Sequence, residues 1–315
     1  MYEKLLTIRT VIPVLTIIGV FACAKPIHKN AFSNYYTPPG SVKVNDTLFI
    51  DQFEISNIEY REFLYCMKKL FGPKSEMYIS MIPDTKVWGD IDFIECEGEE
   101  IELESTTRQM LENSYFRAYN FSEFPVVGIS YVQASNFCTW RTNAVNAFLL
   151  KKKKRLSKEK LIEFSLIDYL EELKLAGTLD STQRYPVYTL PTEKILEELA
   201  WMEGFESHSK DVICDALAND QLDFFMIAKN DSYNPQGEVA NLSGNLAEMT
   251  SQKGIAFGGS WQDPSYECQL NKRKLYIGPS SWLGFRCAVM MLTYEQILQW
   301  YDYQITEEKG LITQF

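Results

Sequence analysis

Asn241, Asn245 and Glu248 sit close together in the run N-L-S-G-N-L-A-E, three oxygen donors spread along one short stretch. A hard cation such as calcium takes an irregular all-oxygen shell, and this pattern can supply part of one. The same residues also read as a glycine turn with Asn245 capping it. Downstream come Gly-Gly-Ser-Trp (Gly258 to Trp261) and Gly-Phe-Arg-Cys-Ala (Gly284 to Ala288). Two adjacent glycines imply a close backbone approach that a side chain would block. Sulfur is the other reactive element: Cys23, Cys66, Cys96, Cys138, Cys214, Cys268 and Cys287. None forms a C-x-x-C pair, which excludes a zinc ribbon or a thioredoxin-type motif. The chain has 2 histidines, His28 and His208, so a histidine-rich zinc site is excluded. A Ser-His-Asp triad would rest on His208 alone, because His28 falls in a linker.

The elements that must position these groups follow from the chain in order. At 315 residues, 46% hydrophobic and 14% aromatic, it is long and apolar enough for a packed core. Its net charge of -11 argues against nucleic-acid binding. Lys4 and Arg9 precede an apolar run from Val11 to Ala22 that is too short to span a bilayer as a helix. That pattern predicts a secretory leader over residues 1–22. Cys23 directly after Val20-Phe21-Ala22 resembles a bacterial lipobox, which predicts lipidation at Cys23. No Asp follows the cysteine, and by that resemblance the outer membrane is the destination. Export also places the remaining cysteines where disulfides can form. Residues 23–40, with Pro26, Pro38, Pro39 and Gly40, read as the lipidated end and a tether.

Two short strands are expected around Asn45-Asp46, then a helix opened by the capping box Ser56 to Glu59. Ile58, Phe63, Leu64, Met67 and Leu70 should form its apolar stripe. Val87-Trp88 reads as a buried anchor, and the acidic run from Glu95 to Glu104 as a solvated face or loop. Pro125 to Ser130 predicts a buried strand, and Ser130 with Gln133 a second capping box. Ala134, Phe137, Cys138 and Arg141 then ride one helix, which ends near the basic block at Lys151 to Arg155. Residues 157–176 predict a third helix, and Thr192 caps a fourth. Residues 204–235 read as a long surface excursion, and Tyr294 to Tyr303 as an amphipathic tail.

In this order, the chain resembles the formylglycine-generating enzyme family, also called sulfatase-modifying-factor domains. The landmarks are P-V-V-G-I-S-Y-x-x-A-x-x-F-C-x-W (Pro125 to Trp140), L-P-T-E (Leu190 to Glu193), N-L-S-G-N-L-A-E (Asn241 to Glu248), G-G-S-W and G-F-R-C-A. The resemblance implies one compact α+β domain with much irregular chain, distantly like C-type lectins. It would span residues 41–292, with a helical insertion at 151–180 and a tail at 293–315. The leader, the Pro83 to Trp88 run and the Tyr-Phe stretch before Pro125 narrow the resemblance to lipoproteins of gliding motility and type IX secretion.

In that family two cysteines hold copper, because a thiolate pair favours Cu(I). The matching positions here are Asp263 and Cys268, so the resemblance implies a lost catalytic pair and no copper. The iron-dependent branch needs a histidine cluster that this chain lacks. The resemblance further implies one structural calcium ion at Asn241, Gly244, Leu246 and Glu248, and a disulfide between Cys138 and Cys287. The family's second structural pair falls at Ala200 and Arg273 and is absent. The expected function is that of a non-catalytic outer-membrane lipoprotein that holds envelope or secretion-system proteins together. Two alternatives stay open. One is a sugar- or peptide-binding lipoprotein using Trp261, Tyr266 and Trp282, which read equally as core residues; the other is a copper-dependent oxidase.

Overall fold

In a computed structural model, Asn45 Oδ1 accepts from the N–H groups of Thr47 and Leu48, each at 3.0 Å. This closes the turn between β1 (Ser41–Lys43) and β2 (Leu48–Asp51). The structure describes residues 37–302, apart from 90, 92, 97–98, 103, 154, 158–160, 202–238 and 264–266. The expected leader, Cys23, both histidines, Cys214, the 204–235 excursion and Tyr266 therefore lie outside the described residues.

β2 pairs antiparallel with β10 (Ala288–Leu292), and β10 with β5 (Tyr185–Thr189), giving the sheet order β1-β2-β10-β5. Strands from opposite ends of the described chain thus meet in one sheet. Its N-terminal helix, α1 (Asn57–Phe71), opens with the expected box, in which Ser56 and Glu59 cap each other's backbone N–H. Tyr60, Phe63, Leu64 and Met67 are buried along it. Ile58 and Leu70, expected in that stripe, are exposed. The buried face is centred on Tyr60 instead, whose hydroxyl reaches the Met81 carbonyl at 3.0 Å.

The box at Ser130 and Gln133 opens α4 (Tyr131–Lys152) as expected. Gln133 also donates to the carbonyls of Ser80 and Ile82, at 3.0 and 2.8 Å, just after the short α2 (Glu76–Ile79). Further along α4, Thr142 Oγ1 accepts from Tyr188 N–H and Asn146 donates to the Pro186 carbonyl, each at 2.8 Å. These bonds seat α4 across β5. Between α1, α4 and the sheet lies an aromatic core in which Phe137 stacks with Tyr60 and meets Phe63, Trp140 and Phe285.

A second sheet, in the order β8-β7-β6-β9, carries the candidate site. Its strands are β6 (Ala247–Met249), β7 (Ile255–Phe257), β8 (Arg273–Leu275) and β9 (Leu283–Gly284), with β6 and β9 parallel.

Three local expectations are corrected. Pro125 to Ser130 is not a strand, although Val126, Val127 and Ile129 are buried. It makes one bridge, Ser56 to Pro125, before Gly128 turns it at φ 72. A Cβ at Gly128 would stand 2.1 Å from the Asp84 carbonyl oxygen, so no other residue fits that approach. Of the two readings of the acidic run, face or loop, the loop is corrected: it is a hairpin of β3 (Phe93–Cys96) and β4 (Glu99–Glu102), with Ile94 paired with Ile101 in the register. It precedes α3 (Ser105–Ser114). The helix expected over 157–176 is shorter, α5 (Leu166–Leu175), because Ser165 caps it.

Leu166 and Leu170 of α5 pack with Leu150, Val187, Tyr294 and Ile297. The helical residues 294–302 thereby join the core through Tyr294 and Ile297. Thr192 Oγ1 caps α6 (Glu193–Trp201) through Ile195 N–H at 3.2 Å, as expected. Among the described residues no helix is long and apolar enough to cross a membrane.

Candidate functional site

The loop expected to hold calcium ends in β6. Asn241 and Asn245 adopt left-handed backbone (φ 55 and 58), which asparagine tolerates better than most residues. Gly244 N–H donates to the Gly258 carbonyl at 2.7 Å, and Trp261 N–H to the Asn245 carbonyl at 2.9 Å. The loop and the double glycine therefore hold each other.

Glu248 is buried, and both its oxygens accept from Arg286: Nε to Oε2 at 2.6 Å, and Nη2 to Oε1. Arg286 is itself fully buried and also donates to the carbonyls of Asp51, Gln52 and Ala240. A guanidinium has five donors in a rigid fork, and here they tie three chain segments together. Glu54 completes the cluster. Its oxygens accept from Asn245 Nδ2 at 2.7 Å and Asn241 Nδ2 at 3.4 Å, and one lies 3.8 Å from Arg286 Nη2. Burial pushes the Glu54 carboxyl up to about 7, with Arg286 opposing and Glu248 adding. Burial likewise raises Glu248 against the pull of Arg286. The sequence reading gave no role to Glu54 or Arg286. The available signal was charge in apolar settings, Phe53-Glu54-Ile55 and Phe285-Arg286-Cys287.

Two buried carboxylates share one guanidinium beside the loop. The expected set of Asn241, Gly244, Leu246 and Glu248 has oxygen donors of the type calcium takes, with both Glu248 oxygens already accepting from Arg286. Among the described residues no three of His, Cys, Asp and Glu gather as metal ligands. An ion here would draw on amide and backbone oxygens as well.

The copper positions lie across the double glycine. A Cβ on Gly259 would stand 2.7 Å from Cys268 Cα, so the glycine lets the Cys268 segment lie directly upon it. The buried Cys268 thiol donates to the carbonyls of Ser260 and Asp263, at 3.4 and 3.5 Å. Asp263 accepts from Ser260 Oγ at 2.6 Å and from Lys274 Nζ at 2.7 and 2.6 Å. Lys274 Nζ also sits 4.0 Å over the Trp282 ring. Asp263, one of the two positions where the resemblance places a copper cysteine, is a carboxylate that already has its cation.

Trp261, open in the sequence between a sugar platform and a core residue, is buried against Trp88, with its indole N–H on the Ser281 carbonyl at 3.1 Å. Its ring is core because the double glycine draws the following chain inward. Trp282 is half-buried beneath Lys274.

The structure also brings Cys138 and Cys287 together, as two thiols with their sulfurs 3.6 Å apart. Burial, and then Cys138, hold the Cys287 thiol well above its ordinary range. Cys287 N–H donates to Asp51 Oδ2 at 3.0 Å, and Arg141 Nη1 to the same oxygen at 2.7 Å.

The profile of the sulfatase-modifying factor enzyme 1-like domain matches residues 13–291. Among solved structures, the chain is similar to Treponema denticola variable protein 1. Identity is 15%, over 77% of this chain and 84% of that one, with a TM-score of 0.37. A comparison with curated protein sequences finds no match. With the landmark motifs in order along a mixed helix-and-sheet domain and the profile spanning most of its length, the chain belongs to the sulfatase-modifying factor enzyme 1-like domain family.

Proposed function

We propose that this protein is a non-catalytic member of its family, lipid-anchored through Cys23 in the outer membrane. There it holds partner proteins in an envelope assembly of the gliding-motility or type IX secretion kind. The observation that carries the non-catalytic reading is the pairing of Asp263 with Lys274. Cu(I) chemistry in this family needs two soft thiolates, and a carboxylate neutralised by an ammonium is neither soft nor free. The assembly role rests on the lipobox and on the resemblance to motility lipoproteins.

Affinity capture of the tagged full chain from detergent-solubilised envelopes tests the assembly role. A stoichiometric envelope protein is the expected result; binding to a glycan array with no protein partner would replace assembly by sugar capture. A fatty-acid probe should label the wild type and not Cys23→Ser. The chain loaded with Cu(I) and given a cysteine peptide should form no formylglycine, and catalytic turnover would overturn the reading.

A further inference from the structure

β8 ends the second sheet, and its far side meets no strand among the described residues. It pairs antiparallel with β7, and Tyr276 N–H carries the pairing one residue further, onto the Gly254 carbonyl at 3.0 Å. In such a ladder every second residue turns its N–H and C=O toward the neighbouring strand. Lys274 and Tyr276 are those residues here, so Arg273, Leu275 and Ile277 turn theirs outward. On that side Leu275 and Ile277 have no backbone hydrogen bond among the described residues. The β5 edge of the first sheet is closed instead, because Thr142 and Asn146 of α4 take the outward groups of Tyr188 and Pro186.

Side chains alternate along the same strand. Arg273, Leu275 and Ile277 share one face, and Lys272, Lys274 and Tyr276 the other. Leu275 lies across from Ile255, and Arg273 from Phe257, both buried in a core that α6 joins through Leu196 and Leu199. Leu275 carries that apolar face out past the core and is 74% exposed, and Ile277 follows it fully exposed. The lysine face is also open: Lys272 and its partner Glu267, 3.6 Å apart, are each nearly half exposed. Such a pair stabilises little and leaves the ammonium open to a second carboxylate. Lys253, next to Gly254 at the end of the pairing, is exposed and has no ion pair among the described residues. These cations gather at one edge of a chain whose net charge is -11.

We propose that β8 is an open sheet edge that takes up an extended segment of a partner protein, apolar on one face and acidic on the other. The outward N–H and C=O groups give the added strand its backbone bonds, and alternate side chains set its identity. Apolar residues would cover Leu275 and Ile277 and extend the core layer, while carboxylates on the other face would meet Lys272 and the charge around it. Like charges directly across a strand pair are destabilising, so the lysines disfavour a second copy of β8 in this place. This edge deepens the proposed assembly role and rests on it. Envelope capture tests that role and the peptide measurements below test the edge, so each can fail alone.

The probe is a fluorescent peptide of about nine residues alternating Val and Glu, titrated into the full chain in detergent with empty micelles as the blank. Its binding should slow hydrogen exchange over residues 273–277, read by mass spectrometry. Two further peptides carry N-methyl groups, one on the Val nitrogens and one on the Glu nitrogens. A strand turns alternate N–H groups to opposite edges, so one of the two should bind about 10-fold more weakly or worse and the other as the parent does. Lys in place of Glu should also cost about 10-fold. Leu275→Lys and Ile277→Lys change exposed side chains, so each should keep the wild-type melting temperature and weaken binding about 10-fold. No binding of the Val-Glu peptide, no slowing at 273–277, or equal effects of the two methylations overturns strand addition at β8. Equal binding of the Val-Lys peptide overturns the acidic partner. A dimer in sedimentation that Leu275→Lys dissociates makes a second copy the occupant, and overturns the acidic partner too.

Discussion

Lys274 donates to both oxygens of Asp263, at 2.7 and 2.6 Å, while its ammonium rests 4.0 Å above the Trp282 ring. A fixed positive charge thus stands beside one of the two positions where the family resemblance places a copper cysteine. Lys274 is partly shielded and held on three sides, by Asp263, Ser260 and Trp282, so the pair is more than a surface contact.

Restoring the missing sulfur should restore copper affinity. Asp263→Cys is expected to bind Cu(I) at least about 100-fold more tightly than the wild type, since soft thiolate pairs select this ion. Competition with a colorimetric Cu(I) chelator measures it. Equal affinity in both proteins would mean that Cys268 and its surroundings no longer form the site.

Arg286 is the only counter-charge that the described residues place within ion-pair distance of Glu248. Replacing it by Met leaves Glu248 and Glu54 buried without it. Losing one partner of a buried ion pair typically costs about 3–5 kcal/mol. Denaturant unfolding should show a loss of that size at pH 7, shrinking toward pH 5 as the two carboxyls take up protons. A loss below about 1 kcal/mol would show that the network is not held by the guanidinium.

Calcium at Asn241, Gly244, Leu246 and Glu248 is testable without any activity. An ion that binds only the folded chain stabilises it by mass action. The melting temperature should therefore rise from EDTA to millimolar calcium in the wild type and stay flat in Glu248→Ala. A flat wild type, after verified removal of metal, would leave Arg286 as the sole cation of the loop.

On α1, burial and then Glu59 push the Glu62 carboxyl up to about 7. Its folded value lies above its ordinary 4.5, so the folded chain holds this proton more tightly than the unfolded chain. The stabilisation is full below about 4.5 and is lost as pH rises through about 7. Glu62→Gln cannot ionise and should exceed the wild type by about 1 kcal/mol at pH 8, a figure reduced for partial exposure. Near pH 4 the two should match. A difference that does not grow with pH would reject this account.

Local features were legible in the sequence because their physics spans a few residues. The boxes at Ser56 and Ser130, the Asn45 turn and the Thr192 cap each close between groups three residues apart or fewer, and all stand where expected. Misreadings arose where a local signal competed with another. The charges of Glu95 to Glu102 hid a strand pair held by backbone bonds. The positive φ at Gly128 cut short an extended apolar run. Ser165 started α5 later than its apolar pattern suggested.

By itself the sequence settled which atoms are present: a carboxylate at Asp263, one thiol at Cys268, and oxygen donors from Asn241 to Glu248. Only the tertiary structure decided what each of them faces. Lys274 reaches Asp263 across 11 positions, Arg286 reaches Glu248 across 38, and Arg286 also reaches the Asp51 carbonyl across 235. The physical reason is register. A cap is set by the geometry of one helical turn, whereas a charge buried between sheets finds its partner through the pairing of strands far apart in the chain. The β2–β10 register puts Asp51 beside Cys287 and leaves Arg286 next to it to reach Glu248, and no short stretch of sequence carries that information.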